Sequence, residues 1–284
     1  MAMNEKGLGK QLQAARQAAG LTQQQLCQKA NLSFSTLTKI ERGAIKSPSI
    51  FTVQAIAEAI GTSLDILLGL NTAVRTARDL KTTRSGVRFI FFDVNGCLVQ
   101  FFHRAFMKVA EDTGVPSDVI ETSFWHLNDE ICRGTITMDE FNQRFAKRLK
   151  VETIDWAKYY LETIEVITEM QELLKWASEH YRVGLLTNIM PGLLRAMFQK
   201  GVLPNLGYDC VIDSSEVGTI KPESRIYEIA QAQADCAPEE ILLIDDSRAN
   251  LMAAEKVGWH VLWFDYARPT ESVINVREAL SPAE

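Results

Sequence analysis

Histidine is scarce: only His103, His126, His180 and His260 occur in 284 residues, and no two stand at metal-ligand spacing. Each reads as an ordinary core or surface residue. The five cysteines (Cys27, Cys97, Cys132, Cys210 and Cys236) are odd in number, widely scattered and form no Cys-x-x-Cys pair. This argues against a zinc site and a disulfide framework, and suits a reducing cytosol. No apolar stretch approaches the roughly 20 residues that cross a bilayer, so no membrane partner is expected. The N-terminus lacks a basic-then-apolar export pattern, and a cytoplasmic location follows as an expectation. What is present, 46% hydrophobic and 23% charged residues, is an ordinary globular composition with room for one to three domains.

The net charge of −6 is unevenly spread. Residues 1–70 hold seven Lys/Arg against four Asp/Glu, net +3, and residues 71–88 hold five against one, net +4. Residues 89–284 hold 18 against 31, net −13. A basic head on an acidic body points to polyanion contact through the head alone.

The body is organised around residues 87–98, Val-Arg-Phe-Ile-Phe-Phe-Asp-Val-Asn-Gly-Cys-Leu. A short apolar run rich in Val, Ile and Phe predicts a strand buried on both faces, as in a parallel sheet. Asp93 then falls just past its carboxyl end, where open α/β sheets bind ligands. An unpaired buried charge is costly, so Asp93 is either a turn residue or holds something charged. Three later stretches bear on that choice: 182–188, an apolar run ending in Thr187-Asn188; 218–222, with Lys221 before Pro222; and 241–247, an apolar run ending in Asp245-Asp246. Strands alternate with helical stretches between them, which predicts one parallel sheet with these ends gathered together. A carboxylate, a hydroxyl, an amine and an acidic pair make a set suited to Mg2+ and a phosphoryl group.

These four stretches, in this order and spacing, resemble the haloacid dehalogenase superfamily of phosphatases and related hydrolases over roughly residues 87–266. The resemblance implies a Rossmann-like parallel sheet with a small α-helical cap. It also implies that Asp93 attacks phosphorus, that Thr187, Asn188 and Lys221 hold phosphoryl oxygens, and that Asp93, Asp245, Asp246 and the main-chain carbonyl of residue 95 hold Mg2+. One position departs. The family's second Asp, which protonates the leaving group and then activates water, is Asn95 here. An amide cannot give and retrieve a proton near neutral pH, and losing such a group typically costs 10²–10⁴-fold. Cys97, where the family often has Thr, is a smaller departure.

The segment of about 101–166 is dominated by helical periodicity and resembles the family's cap, which closes over the site and selects the ligand. Arg133 and Trp125 are candidates to face the ligand there, with packing the favoured role for Trp125. Residues 162–178 read as one helix returning to the sheet.

The head, residues 1–70, is helical throughout by pattern. Gly20, Asn31, Gly43 and Gly61 punctuate it, and Thr22 and Ser33 stand at helix starts. Five short helices are expected, the last holding Leu64, Ile66, Leu67 and Leu68. Leu21-Thr22-Gln23-Gln24-Gln25-Leu26 and Leu37-Thr38-Lys39-Ile40-Glu41-Arg42-Gly43 resemble the phage-repressor (Cro-like) helix-turn-helix family. That resemblance puts the third helix in the major groove of double-stranded operator DNA. Gln23 then opens the second helix near backbone and base, Ser33, Phe34, Ser35, Thr38 and Lys39 line the reading face, and Arg42 and Lys46 meet phosphates. Phe34 contacts a thymine methyl or packs partly buried; both remain open, as does a dimerisation module that has lost DNA binding. Such readers work as two-fold dimers, so a homodimer is expected. Residues 71–86, with Arg75, Arg78, Lys81 and Arg84 three apart, read as a basic linker, a solvated connector before an extra phosphate contact.

The expected whole is an all-α helix-turn-helix domain, the linker, and an α/β domain over 87–284. It implies a transcription regulator that binds Mg2+ and senses a phosphorylated small molecule, or is phosphorylated on Asp93 by a phosphodonor, with turnover weakened by Asn95. The alternative is an active Mg2+-dependent phosphatase of a small ester with an autoregulatory head. A dehalogenase, which would need no Mg2+, fits the Asp245-Asp246 pair poorly.

Overall fold

A computed structural model describes residues 8–19, 21–45, 48–60 and 80–281. The expected helix around Leu64–Leu68, the breaks at Gly20 and Gly61, and Lys46, Arg75 and Arg78 lie outside the described residues. The chain divides into two compact units, residues 1–78 and 79–284.

The first unit holds α1 (Leu8–Ala18), α2 (Gln23–Lys29), α3 (Phe34–Glu41) and α4 (Ile50–Ile60). Each start has a local cause. Thr22 accepts from the Gln25 N–H while the Gln25 side chain accepts from the Thr22 N–H, a reciprocal cap for α2. Ser33 caps α3 through the Thr36 N–H. Leu12, Leu26, Leu37, Ile40, Val53 and Ile56 form the core. Beneath them Arg16 clasps Glu41 with two bonds, 2.7 and 3.1 Å. Gly9 is required by close approach, since a Cβ there would meet the Ile40 carbonyl oxygen at 2.3 Å.

In the second unit β1 (Phe89–Phe92), β2 (Arg182–Thr187), β3 (Cys210–Asp213), β4 (Ile241–Asp245) and β5 (His260–Trp263) form one parallel sheet in the order β3-β2-β1-β4-β5. The central strand shows why an unbroken apolar run was needed. Ile90 and Phe92 join one buried cluster, Phe89 and Phe91 the other, and every residue of β1 is buried. Helices at 168–180, 193–199 and 269–279 cover the first face; those at 224–234 and 248–256 cover the second. Residues 80–86, the end of the stretch expected to be a linker, are bonded into this unit: Lys81 N–H donates to the His180 carbonyl and Thr83 is 2% exposed.

Four helices, α5 (His103–Thr113), α6 (Ser117–Cys132), α7 (Met138–Leu149) and α8 (Trp156–Thr163), follow β1 and pack around Phe102, Phe106, Phe124, Phe141, Phe145, Trp156 and Tyr160. The single return helix expected over 162–178 is broken. α8 ends at Thr163, and a new helix starts at Thr168. Between them Glu165 and Ile167 bond back to Gln100 and Leu98, so the two strands of chain leading into and out of the cap run side by side. That pairing satisfies backbone groups which helix periodicity would have assigned to an α-helix.

Candidate functional site

β1, β2 and β4 are held in register, Phe92 opposite Leu185 and Ile244. Their carboxyl ends therefore carry Asp93, Thr187 and Asp245 to one edge. Lys221 arrives from the loop after β3 and is 2% exposed. Its Nζ donates to Asp93 Oδ1 at 2.9 Å and to Asp245 Oδ2 at 2.5 Å. Asp93 Oδ1 also accepts from the Val94 N–H at 2.7 Å.

The expected acidic pair divides into two roles. Asp245, fully buried, accepts from Lys221, from the Ser247 N–H at 2.8 Å and from Asn250 Nδ2 at 3.0 Å. It is engaged in holding Lys221. Asp246 instead turns toward Asp93, and Asp93, Cys97 and Asp246 offer ligand atoms all within 4.8 Å of one another. Gly96, at φ +89°, makes that approach possible, because a Cβ there would meet Asp246 Oδ2 at 2.3 Å.

The electrostatics expose an imbalance. Three carboxylates, Asp93, Asp245 and Asp246, face one ammonium. Burial pushes the Asp93 carboxyl up to about 8, with Lys221 pulling it down and Asp245 and Asp246 adding to the rise. Burial likewise lifts Asp246 to about 6, helped by Asp245. Burial opposes the charge on Lys221, but Asp245 and Asp93 hold its pKa above the ordinary lysine value. Carboxylates that burial and mutual repulsion hold toward the protonated form, with hard oxygen donors, fit a divalent cation such as Mg2+, whose charge would let them ionise. Cys97 is kept a thiol, since burial first and the nearby carboxylates second push it well up.

Thr187 is fully buried, and its hydroxyl finds no partner among the described residues. A buried orphan hydroxyl at a strand end is what a phosphoryl oxygen would satisfy. Asn188 is differently employed: its side chain donates to the Lys221 carbonyl and accepts from the Lys221 N–H, both at 2.8 Å. It fixes the lysine's main chain. Asn95 is clamped on both sides. Its Oδ1 accepts from the Tyr160 hydroxyl at 2.5 Å, and its Nδ2 donates to the Asn188 carbonyl at 3.3 Å. Tyr160, delivered by α8, and Asn250 were missed in the sequence. Asn250 follows Asp245 by five residues on the next helix, a spacing that could have flagged it; Tyr160 carries no local signal.

A cavity of about 250 Å³ opens on this cluster, lined by Asp93, Asn95, Lys221 and Asp246 on the sheet side and by Phe101 and Trp125 toward the cap. Trp125, expected to pack, does so against the Phe102 and Phe124 rings and yet stays 42% exposed, with Nε1 donating to Glu121. Arg133, a candidate to meet the ligand, pairs with Glu223.

In the first unit Ser33, Phe34, Ser35, Lys39 and Arg42 are exposed around α3, and Phe34 is 52% exposed rather than packed. Two expected readers differ. The Gln23 amide donates to Glu41 Oε2 at 2.7 Å, and the Thr38 hydroxyl points into the unit, buried and without a partner among the described residues.

A family model described as haloacid dehalogenase-like hydrolase matches residues 87–258, more than half of the chain. The chain belongs to this family. A helix-turn-helix model matches residues 12–67, so a DNA-binding domain precedes the hydrolase-like one. Among relatives, the immunity repressor protein of Bacillus phage phi105 is 40% identical over 68 residues, 24% of this chain and 46% of the repressor. Acyl-CoA dehydrogenase family member 10 of Mus musculus is 26% identical over 216 residues, 71% of this chain and 20% of that protein. The chain thus spans about a fifth and under half of the lengths of these two relatives. Among solved structures, a haloacid dehalogenase family enzyme of Bacteroides thetaiotaomicron, in complex with magnesium and inorganic phosphate, superposes with a TM-score of 0.56 at 22% identity. That match covers 64% of this chain and 96% of the enzyme, and it shows the shared fold. Among the described residues no helix is long and apolar enough to cross a membrane.

Proposed function

We propose that this protein is a DNA-binding transcription regulator whose hydrolase-like domain binds Mg2+ and a phosphoryl group and holds it, with slow turnover. The observation that carries this reading is the clamp on Asn95 beside an otherwise complete cradle. Asp93, Lys221, Thr187 and Asp246 retain what is needed to receive a phosphoryl group. The residue that would move protons is an amide, and its surroundings suit an amide. Tyr160 presents a donor to one terminal atom, and the Asn188 carbonyl accepts from the other. A carboxylate there would set oxygen against oxygen at Asn188.

Asp93 and Asp246 would hold Mg2+, with the main chain of Asn95 as a further ligand. The bound cation would neutralise charge on the phosphoryl oxygens. Attack by Asp93 forms an oxygen–phosphorus bond as the bond from phosphorus to the leaving oxygen breaks, and that oxygen keeps the electron pair. A carboxylate leaving from an acyl phosphate needs no proton, whereas an alkoxide leaving from an ester does. Lys221 and Thr187 donate to the transferred oxygens, Asp245 and Asn188 keep Lys221 aimed, and the cap limits water. Retention of Asp246 beside Asp93 supports metal-assisted chemistry over dehalogenation.

The test is radiolabelled acetyl phosphate on the full chain with Mg2+. We expect acid-stable, hydroxylamine-labile label, absent in Asp93→Asn and after chelation. The Asn95→Asp variant should lose its label faster and hydrolyse phosphate esters at least 10²-fold faster than wild type. The alternative, a working phosphatase, is favoured by the same intact cradle. Wild-type turnover of simple esters at about 1–10 per second, the ordinary enzyme range, would establish it and overturn slow turnover.

A further inference from the structure

We propose that the phosphorylated ligand carries an aromatic or heteroaromatic ring, seated in a cleft that opens sideways from the cradle; this rests on the phosphoryl-binding reading above. The cleft has a volume of about 630 Å³ and shares Phe101, Trp125 and Asp246 with the smaller cavity over Asp93. The two cavities therefore adjoin at these residues, and a molecule with its phosphoryl group at Asp93 would extend into the larger one past two aromatic rings.

Three large rings line that path while facing solvent: Phe101 at 37%, Trp125 at 42% and Tyr266 at 51% exposure. They come from the loop after β1, from the cap helix α6 and from the loop after β5. Nothing in local sequence would gather them. Phe101 and Trp125 stand 6.1 Å apart between centroids, within the range of interacting rings. Half-exposed aromatics from three separate segments, converging on one slot adjoining a phosphoryl site, supply stacking faces for a planar group.

The charged side chains of the same wall argue against a second anionic group. Arg104 is already paired with Glu165 at 2.7 Å, and Glu121 accepts from Trp125 Nε1 at 3.3 Å. Asp246 at the junction adds negative charge. A short acyclic polyol phosphate such as glycerol 3-phosphate has no ring to lay on these aromatic faces and gains no stacking from them.

Calorimetric titration of the full chain in Mg2+ tests this with three probes: inorganic phosphate, phenyl phosphate and glycerol 3-phosphate. We expect phenyl phosphate to bind at least tenfold more tightly than glycerol 3-phosphate, the size of a good ring contact. Trp125→Ala and Tyr266→Ala should each lower the ratio of phenyl phosphate to inorganic phosphate affinity by about tenfold, and Tyr266→Phe should restore it. Equal affinity for the two esters, with inorganic phosphate still bound, would overturn the ring inference alone. Failure of inorganic phosphate to bind would instead remove the phosphoryl site on which it stands.

Discussion

Asn95 and Lys221 show how much of this site depends on single side chains. Asn95 differs from aspartate by one NH2 group, yet both of its terminal atoms have matching partners. Among the described residues Lys221 is the cation that faces the buried Asp93 and Asp245 and the half-buried Asp246, touching the first two. Replacing it by Met should cost about 3–5 kcal/mol in the metal-free chain, because the remaining charges are left buried and uncompensated. Urea unfolding followed by tryptophan fluorescence measures this. Adding Asp245→Asn to Lys221→Met should recover part of the loss, whereas simply additive effects would refute the pairing. The sign of the pH effect follows from Asp93, whose carboxyl is lifted to about 8 by burial. A carboxyl with a raised folded pKa favours the folded state when protonated. Lys221 pulls that carboxyl down, so its loss should lift Asp93 further, and the penalty in the Lys221→Met variant should shrink as pH falls toward about 8, where the wild-type carboxyl also takes up its proton.

At the scale of elements, α3 and the cap are the two working parts. α3 and its cap present Ser33, Phe34, Ser35 and Lys39 outward while Leu37 and Ile40 anchor the helix in the core. Arg42→Ala should weaken binding to an operator fragment across all sequences and lower the salt slope by about one, as loss of one phosphate contact does. A loss confined to particular base pairs would mark Arg42 as a base reader instead. The cap is held down at its far end, where Ser214 Oγ donates to the Cys132 carbonyl at 2.6 Å and Arg133 meets Glu223. Its near end is the paired chain at 98–100 and 165–167. Tyr160 rides on this body, so the clamp on Asn95 depends on the cap being seated.

For the whole molecule, the proposed regulation requires that the helix-turn-helix domain and the proposed phosphoryl site change one another's affinity. Couplings of this kind are typically about 5–150-fold in affinity. Full-length protein labelled with acetyl phosphate and Mg2+ should bind its operator with an affinity changed at least fivefold, and Asp93→Asn should not respond. By linkage, operator DNA should shift the equilibrium affinity for Mg2+ and phosphate by the same factor. Identical titration curves with and without label would refute regulation through this site. Because the head is net basic and the body net acidic, raising salt should weaken DNA binding without weakening a buried phosphoryl contact.

The sequence alone determined what depends on near neighbours. An unbroken Phe-Ile-Phe-Phe run reads as a strand covered on both faces, and Asp93 then leaves it at the carboxyl edge where such sheets bind ligands. Thr22 and Ser33 could be read as helix starts because a cap acts over three residues. The four ordered stretches of the hydrolase-like domain were legible because parallel strands of this spacing close into one sheet. The division of labour between Asp245 and Asp246, the turning outward of Trp125 and the clamp on Asn95 were decided only by the tertiary structure. They depend on partners brought from 65 and 93 residues away in the case of Asn95. A side chain's pattern in sequence says how buried it must be, but which donor it meets depends on the packing of separate helices and loops. That packing turns a suspected lost acid into an amide with two fitted partners.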